Sequence, residues 1–167
     1  MRENIKKLVP LYFIGCKDCT KCCDGSKFFL APLILEDFDK VKNYFEIRAI
    51  ILDEIIPVML FNDGSNPCKY LKDGVCDIYE NRPPACKIYP FSPYYEEIYI
   101  DLECDGIGVF GEKLPINKEQ LFKSNFFEER FVDFSKKRKE TIQYMKQQKL
   151  YFDKEIKNIK LYKFDIK

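Results

Sequence analysis

Histidine is missing altogether from this chain of 167 residues. Imidazole is the usual general base near neutral pH and the commonest nitrogen ligand for metals, so Cys–His and Ser–His–Asp catalysis are excluded, and mixed Cys/His zinc sites with them. A metal held here would sit among thiolates, with at most a carboxylate or water beside them. An excess of charge is missing too: 28 Lys and Arg against 27 Asp and Glu leave a formal net charge of +1. No global field draws in nucleic acid or an anionic membrane, and such a partner would need a local patch. No segment approaches the roughly 20 apolar residues that cross a bilayer as a helix. The apolar stretch 8–14, behind Arg2, Lys6 and Lys7, is broken by Pro10 and reaches Cys16 without a small-residue cleavage site, so it is not read as a secretion signal. A cytoplasmic location is therefore expected, and eight cysteines where thiols stay reduced argue for metal over disulfides. Low-complexity tracts are absent as well. One globular domain over 1–167 is expected, since the chain is too short for two of ordinary size.

What the chain does have is a cysteine loop. Cys16-Lys17-Asp18-Cys19-Thr20-Lys21-Cys22-Cys23 places four of the eight cysteines within eight residues. Two-residue gaps between Cys16, Cys19 and Cys22 let a tight turn aim three sulfurs at one centre, as zinc knuckles and iron–sulfur loops both require. The other cysteines, Cys68, Cys76, Cys86 and Cys104, come singly among turn formers such as Pro67, Gly74, Pro83, Pro84 and Gly106. A cysteine used only as a small hydrophobe would be expected in an apolar periodic run instead.

In chain order, residues 28–35 read as a buried extended piece interrupted by Pro32. Glu36 and Asp37 open an expected helix whose apolar positions Phe38, Val41, Phe45 and Leu52 follow helical spacing. Residues 58–61 are a candidate strand closed by Asn62-Asp63-Gly64-Ser65. Asp73-Gly74 signals a hairpin that folds Cys68 toward Cys76. Pro83 and Pro84 hold Arg82 and Pro83 extended, which presents Cys86 from a stiff bend. Residues 97–102 alternate as a strand, and Cys104 follows their end. Beyond Leu114 the cysteines stop. Asn125 with Glu128 resembles a capping box, and Phe127, Phe131, Phe134, Ile142, Met145 and Phe152 predict a helix over 126–150 lying against the metal-bearing half. A last strand is expected near 159–166. The basic run Lys136-Lys137-Arg138-Lys139 reads as a solvated helix face, and nucleic acid is not expected.

These residues carry a resemblance. Cys16-x2-Cys19-x2-Cys22-Cys23, Pro67-Cys68-x-Tyr70-Leu71, Gly74-x-Cys76-x-Ile78-Tyr79, Arg82-Pro83-x2-Cys86-x3-Pro90 and Cys104-x-Gly106-Ile107-Gly108 together resemble the YkgJ-type cysteine-cluster family, whose members are described as zinc- or iron-chelating proteins. The resemblance runs from about Cys16 to Gly108 and leaves the tail uncovered. Flagellin lysine methylases contain a similar domain, so it permits an enzymatic reading without requiring one.

The expected fold is α+β: a small irregular cysteine-rich metal-binding core with short hairpins over 16–108, packed against a mainly helical C-terminal extension over 115–167. All eight cysteines are candidate metal ligands. A run of three cysteines plus a distant fourth favours a [4Fe–4S] cluster over zinc, although the adjacent Cys23 departs from the ferredoxin pattern. Neighbouring side chains diverge, so Cys22 and Cys23 suggest two centres, with Cys23 joining the hairpin cysteines. Four thiolates around either metal leave a charge of about −2. Lys17, Lys21, Lys69, Arg82 and Lys87 lie beside cysteines in sequence, and Arg82, fixed between turn residues, is the candidate to balance that charge at the cofactor. A structural or redox/accessory role for one or two all-thiolate centres is expected, and the sequence leaves a protein partner open. Against an enzyme stand the missing His, the absence of a Gly-rich loop after a strand, and the absence of the CxxxCxxC triad of radical enzymes. The acids Asp77, Glu80 and Asp101 are read as solvated.

Overall fold

Antiparallel strands form four sheets among the described residues, one of five strands and three smaller. The computed structural model describes residues 2–4, 12–14, 19–94, 97–108, 110–114 and 132–166. In chain order the elements are β1 (Arg2–Asn4), β2 (Tyr12–Phe13), β3 (Phe28–Pro32), α1 (Phe38–Val41), β4 (Glu46–Ile51), β5 (Ile55–Asp63), β6 (Leu71–Lys72), β7 (Val75–Cys76), α2 (Pro84–Ile88), β8 (Phe91–Tyr94), β9 (Glu97–Asp101), β10 (Ile107–Gly108), β11 (Glu112–Lys113), α3 (Phe134–Lys146), β12 (Tyr151–Ile156) and β13 (Ile159–Lys163). The largest sheet has five strands in the order β12-β13-β4-β5-β3; two sheets of three strands, β1-β9-β8 and β10-β2-β11, and the hairpin β6-β7 complete the set. Few helices and several small sheets make this a mixed α+β fold.

The helix expected from Glu36 onward stops at Val41, and Glu46–Ile51 is a strand. Phe38, Val41 and Phe45 are buried as their spacing requires, but Leu52 is 67 % exposed. From Glu46 the period changes to two: Ile47 and Ala49 are buried while Glu46 and Ile51 face solvent. Such alternation suits a strand with one face on the core. Asp37 closes the preceding turn, its carboxylate accepting the Ile34 N–H at 3.0 Å.

The C-terminal part mixes the two structure types among its described residues. α3 ends at Lys146, and Phe152, expected on its apolar stripe, lies on β12 and is 62 % exposed. Residues 125–131, with the expected capping box, Phe127 and Phe131, fall outside the described residues. Lys157 and Asn158 both take positive φ, 50° and 65°, and turn β12 back into β13, the last strand anticipated from the sequence. β13 then joins β4 through Tyr162 and Ala49, so the tail enters the same sheet as the first half of the chain. Asp153 fastens this edge: its carboxylate accepts from Arg48 Nε at 2.8 Å and pairs with Lys163 Nζ at 3.1 Å, which holds the acid below its ordinary range.

Among the described residues two hydrophobic clusters form the core. One gathers Leu33, Phe38, Val41, Phe45, Ile47, Met59, Met145 and Phe164 with Cys68, and the half-buried Cys23 and Cys86 pack on it. The other gathers Phe13, Ile88, Phe91, Ile100 and Leu114 with Cys104. Thr141 ties α3 to the first, accepting the Leu35 N–H at 3.0 Å while donating to the Lys137 carbonyl at 2.8 Å. The basic run is drawn into ion pairs with this chain's own acids: Lys136 with Glu140, Lys137 with Glu36 and Arg138 with Glu54. No described helix is long and apolar enough to cross a membrane.

Candidate metal centre

Backbone hydrogen bonds decide where each cysteine stands. Thr20 opens the loop by accepting the N–H groups of Cys23 and Asp24, both at 2.8 Å. The Cys68 N–H donates to the Cys23 carbonyl at 2.7 Å and docks the loop against the segment before the hairpin. Gly25 permits that approach: its φ is +84°, and a Cβ there would lie 2.6 Å from the Asn66 carbonyl carbon. Gly25→Ala combines left-handed strain with a backbone clash, and is expected to cost at least about 1–3 kcal/mol in a denaturant titration. Unchanged stability would mean that the loop is not docked here.

The neighbouring turn has its own electrostatic lock. Asp63 accepts the N–H groups of Ser65 and Asn66 and the Asn66 amide, and these bonds hold its carboxyl at about 2 against an ordinary 3.8. A folded pKa below the unfolded one adds stability that is present above 3.8 and is lost as pH falls toward about 2. Asp63→Ala should therefore flatten the acid limb of the stability profile across that window, whereas an unaltered limb would remove Asp63 from the account.

The hairpin forms at the expected place. Asp73 (φ 47°) and Gly74 (φ 78°) turn β6 into β7, and Leu71 pairs with Cys76. Arg82 (φ −55°, ψ 142°) and Pro83 (φ −54°, ψ 152°) are extended, and the bend delivers Cys86 into the single turn of α2, where its N–H donates to the Pro83 carbonyl at 2.9 Å. Cys104 follows β9, its N–H donating to the Asp101 carbonyl at 3.2 Å.

Cys19, Cys22, Cys23, Cys68, Cys76, Cys86 and Cys104, the seven described cysteines, all line one cavity of about 850 Å³ and carry thiols rather than disulfides. Cys16 lies outside the described residues. Cys68 and Cys104 are buried, at 6 % and 7 % exposure, which places them in apolar clusters despite their turn-rich sequence neighbours. Burial pushes the Cys86 thiol well up, and the nearby Cys23, Cys68 and Cys76 push it further, against the pull of Arg82. Burial likewise raises Cys68, with Cys76 adding to the rise and Lys69 opposing it. Around Tyr89 the neighbours differ: after burial, Cys22, Asp101 and Cys104 raise the phenol, whose O–H donates to the Asp101 carboxylate at 3.1 Å.

No group of three or more Cys, Asp or Glu side chains among the described residues would hold a metal ion in the positions they occupy. The chemistry of the donor set nevertheless suits a thiophilic metal. Thiols held neutral by burial and mutual repulsion lose both penalties when a cation shares their sulfurs, because coordination replaces the protons. Arg82 supplies positive charge at this edge. Its Nε donates to the Tyr79 carbonyl at 2.7 Å, and its guanidinium carbon stacks 3.8 Å from the centre of the Tyr79 ring. Lys69 lies over the Phe45 and Tyr70 rings, while Lys21 pairs with Asp24. Lys17 lies outside the described residues. Tyr89 was not singled out by the sequence, since an aromatic residue before proline gives no sign of the carboxylate and thiols it meets.

Residues 15–125, about two thirds of the chain, match the family model CxxCxxCC, described as a "putative zinc- or iron-chelating domain". No curated protein and no solved structure matches the chain. The matched stretch contains all eight cysteines and agrees with the cysteine-cluster resemblance read from their spacing. The chain belongs to the CxxCxxCC family of zinc- or iron-chelating domains.

Proposed function

We propose that this is a cytoplasmic metal protein with two all-thiolate centres, [4Fe–4S] clusters in preference to zinc, in a structural or redox accessory role toward a protein partner. The observation that carries the reading is the packing of the thiols: Cys23, Cys68 and Cys86 belong with the first apolar cluster and Cys104 with the second, and all seven described cysteines line one cavity. On that basis we assign Cys23, Cys68, Cys86 and the hairpin's Cys76 to one centre and Cys22 and Cys104 to the other, with Cys16 and Cys19 joining Cys22 through the two-residue spacing of the loop. Adjacent Cys22 and Cys23 then serve different centres. Such clusters supply one-electron chemistry when bound. The chain's part is to present eight sulfurs, to offset their charge with Arg82 and Lys69, and to shield one set with the first apolar cluster.

Anaerobic preparation followed by iron, acid-labile sulfide and zinc analysis tests this. Iron and sulfide in a brown protein, with Cys22→Ser and Cys23→Ser each losing about half of both, is the expected result. Colourless protein with stoichiometric zinc would overturn the cluster preference, and complete loss in either single variant would overturn the partition. Absence of any metal would end the reading.

A second reading is kept by the cavity itself. Structural metal sites are closed, whereas this space, lined by all seven described cysteines, is large enough for a small-molecule ligand. An enzyme related to the protein-lysine methylases with a similar domain would bind S-adenosylmethionine, and calorimetry on the metal-loaded chain detects that directly. No heat of binding removes this alternative.

A further inference from the structure

The pairing of β3 with β5 is irregular at one point: Phe29 faces Asn62 and Leu30 faces Leu60, so the ladder skips Phe61. An extra residue in one strand is a β-bulge, a device that re-aims the following side chain. Here the residue after it is Asn62, a polar side chain only 3 % exposed near the end of an otherwise apolar strand. Its two ends are both used. The Gly64 N–H donates to Asn62 Oδ1 at 2.6 Å, which sets the orientation of the amide, and Asn62 Nδ2 donates to the Cys22 carbonyl at 3.1 Å. The next carbonyl, that of Cys23, accepts from the Cys68 N–H at 2.7 Å. Consecutive carbonyls of the cysteine pair are therefore anchored to different elements, one to the bulged strand and one to the segment leading into the hairpin.

We infer that Asn62 is a positioning residue that fixes the backbone between Cys22 and Cys23, so that the two adjacent thiols serve separate metal centres. Without the amide the Cys22–Cys23 peptide keeps its N–H bond to the Thr20 carbonyl but loses the hold on its own carbonyl, and the divergence of the two sulfurs is less closely set. The inference rests on the metal-centre reading above, and hydrogen-bond partners that orient ligands are commonly worth about 10- to 100-fold in metal affinity.

The test is cobalt(II) titration of the reduced full-length chain under anaerobic conditions, read by thiolate-to-cobalt charge transfer and the visible d–d bands. Asn62→Ala is expected to weaken cobalt binding by about 10- to 100-fold and to change the d–d bands, because the ligand geometry changes. Leu161→Ala, which opens a cavity at a fully buried site on β13, two strands removed from β5 in the sheet, should leave the cobalt spectrum as it is. An unchanged spectrum and affinity in Asn62→Ala, or an equal spectral change in Leu161→Ala, overturns the proposal. If the alanine chain does not fold, Asn62→Asp keeps the volume and the acceptor for Gly64 but turns an oxygen toward the Cys22 carbonyl. Wild-type affinity and spectrum in that variant likewise overturn it. Failure of the wild-type chain to bind cobalt at all would strike the metal-centre reading instead.

Discussion

Chelation of the anaerobically prepared protein is expected to release the cysteine-bearing segments while the five-stranded sheet survives. Residues 68–90 contain two strands of two residues each, a single helical turn and extended prolines. Few backbone ladders hold such a segment, so its order must come from side chains. Structural zinc contributes about 10–16 kcal/mol to small domains at neutral pH, comparable to the whole stability of a typical domain. The sheet is built differently: β4 pairs with β5 over six residues, and Met59, Val58 and Ala49 are fully buried between its neighbours. Amide exchange measured with and without chelator should therefore lose protection at 19–27 and 68–90 and keep it in β4, β5 and α3. Equal protection in both states would show that metal and fold are uncoupled.

The second large effect concerns α3. Met145 is fully buried in the cluster that contains Cys68, Met59 and Phe38. Met145→Ala removes most of that side chain and leaves a cavity, for which about 2–5 kcal/mol is expected from comparable core truncations. Urea denaturation monitored by far-UV circular dichroism gives the value. Lys136→Ala on the exposed side of the same helix, where the ion pair to Glu140 spans 4.0 Å, should change stability by less than about 0.5 kcal/mol. If the two variants behaved alike, α3 would not belong to the core beside the thiols.

Elements with a local chemical cause were legible before any coordinates. The turn at Asp73-Gly74 was read correctly because Asp and Gly tolerate the positive φ that a two-residue hairpin needs. Arg82 and Pro83 were read correctly because a proline ring restricts both itself and the residue before it. Elements whose cause is distant were not legible. Phe38, Val41 and Phe45 fit a helix that in fact ends at Val41, since Phe45 reaches the same core from the turn before a strand. Phe152 fits the apolar stripe of the preceding helix but lies on β12, whose turn at Lys157-Asn158 lacks the glycine that usually marks a tight turn.

The sequence alone determined that any metal here meets sulfur: with eight cysteines and no histidine, ligand type follows from composition. It also determined the bends that carry Cys76 and Cys86, through the Asp73-Gly74 turn and the prolines at 83 and 84, whose backbone preferences act within a few residues. Only the tertiary structure decided which thiols are neighbours. Cys22 and Cys23 share a peptide bond, yet one carbonyl is held by Asn62 of β5 and the other by the backbone of Cys68. Those bonds join residues forty or more positions apart in the chain. Long-range pairing of that kind depends on how the whole chain packs, and spacing within a motif carries no record of it.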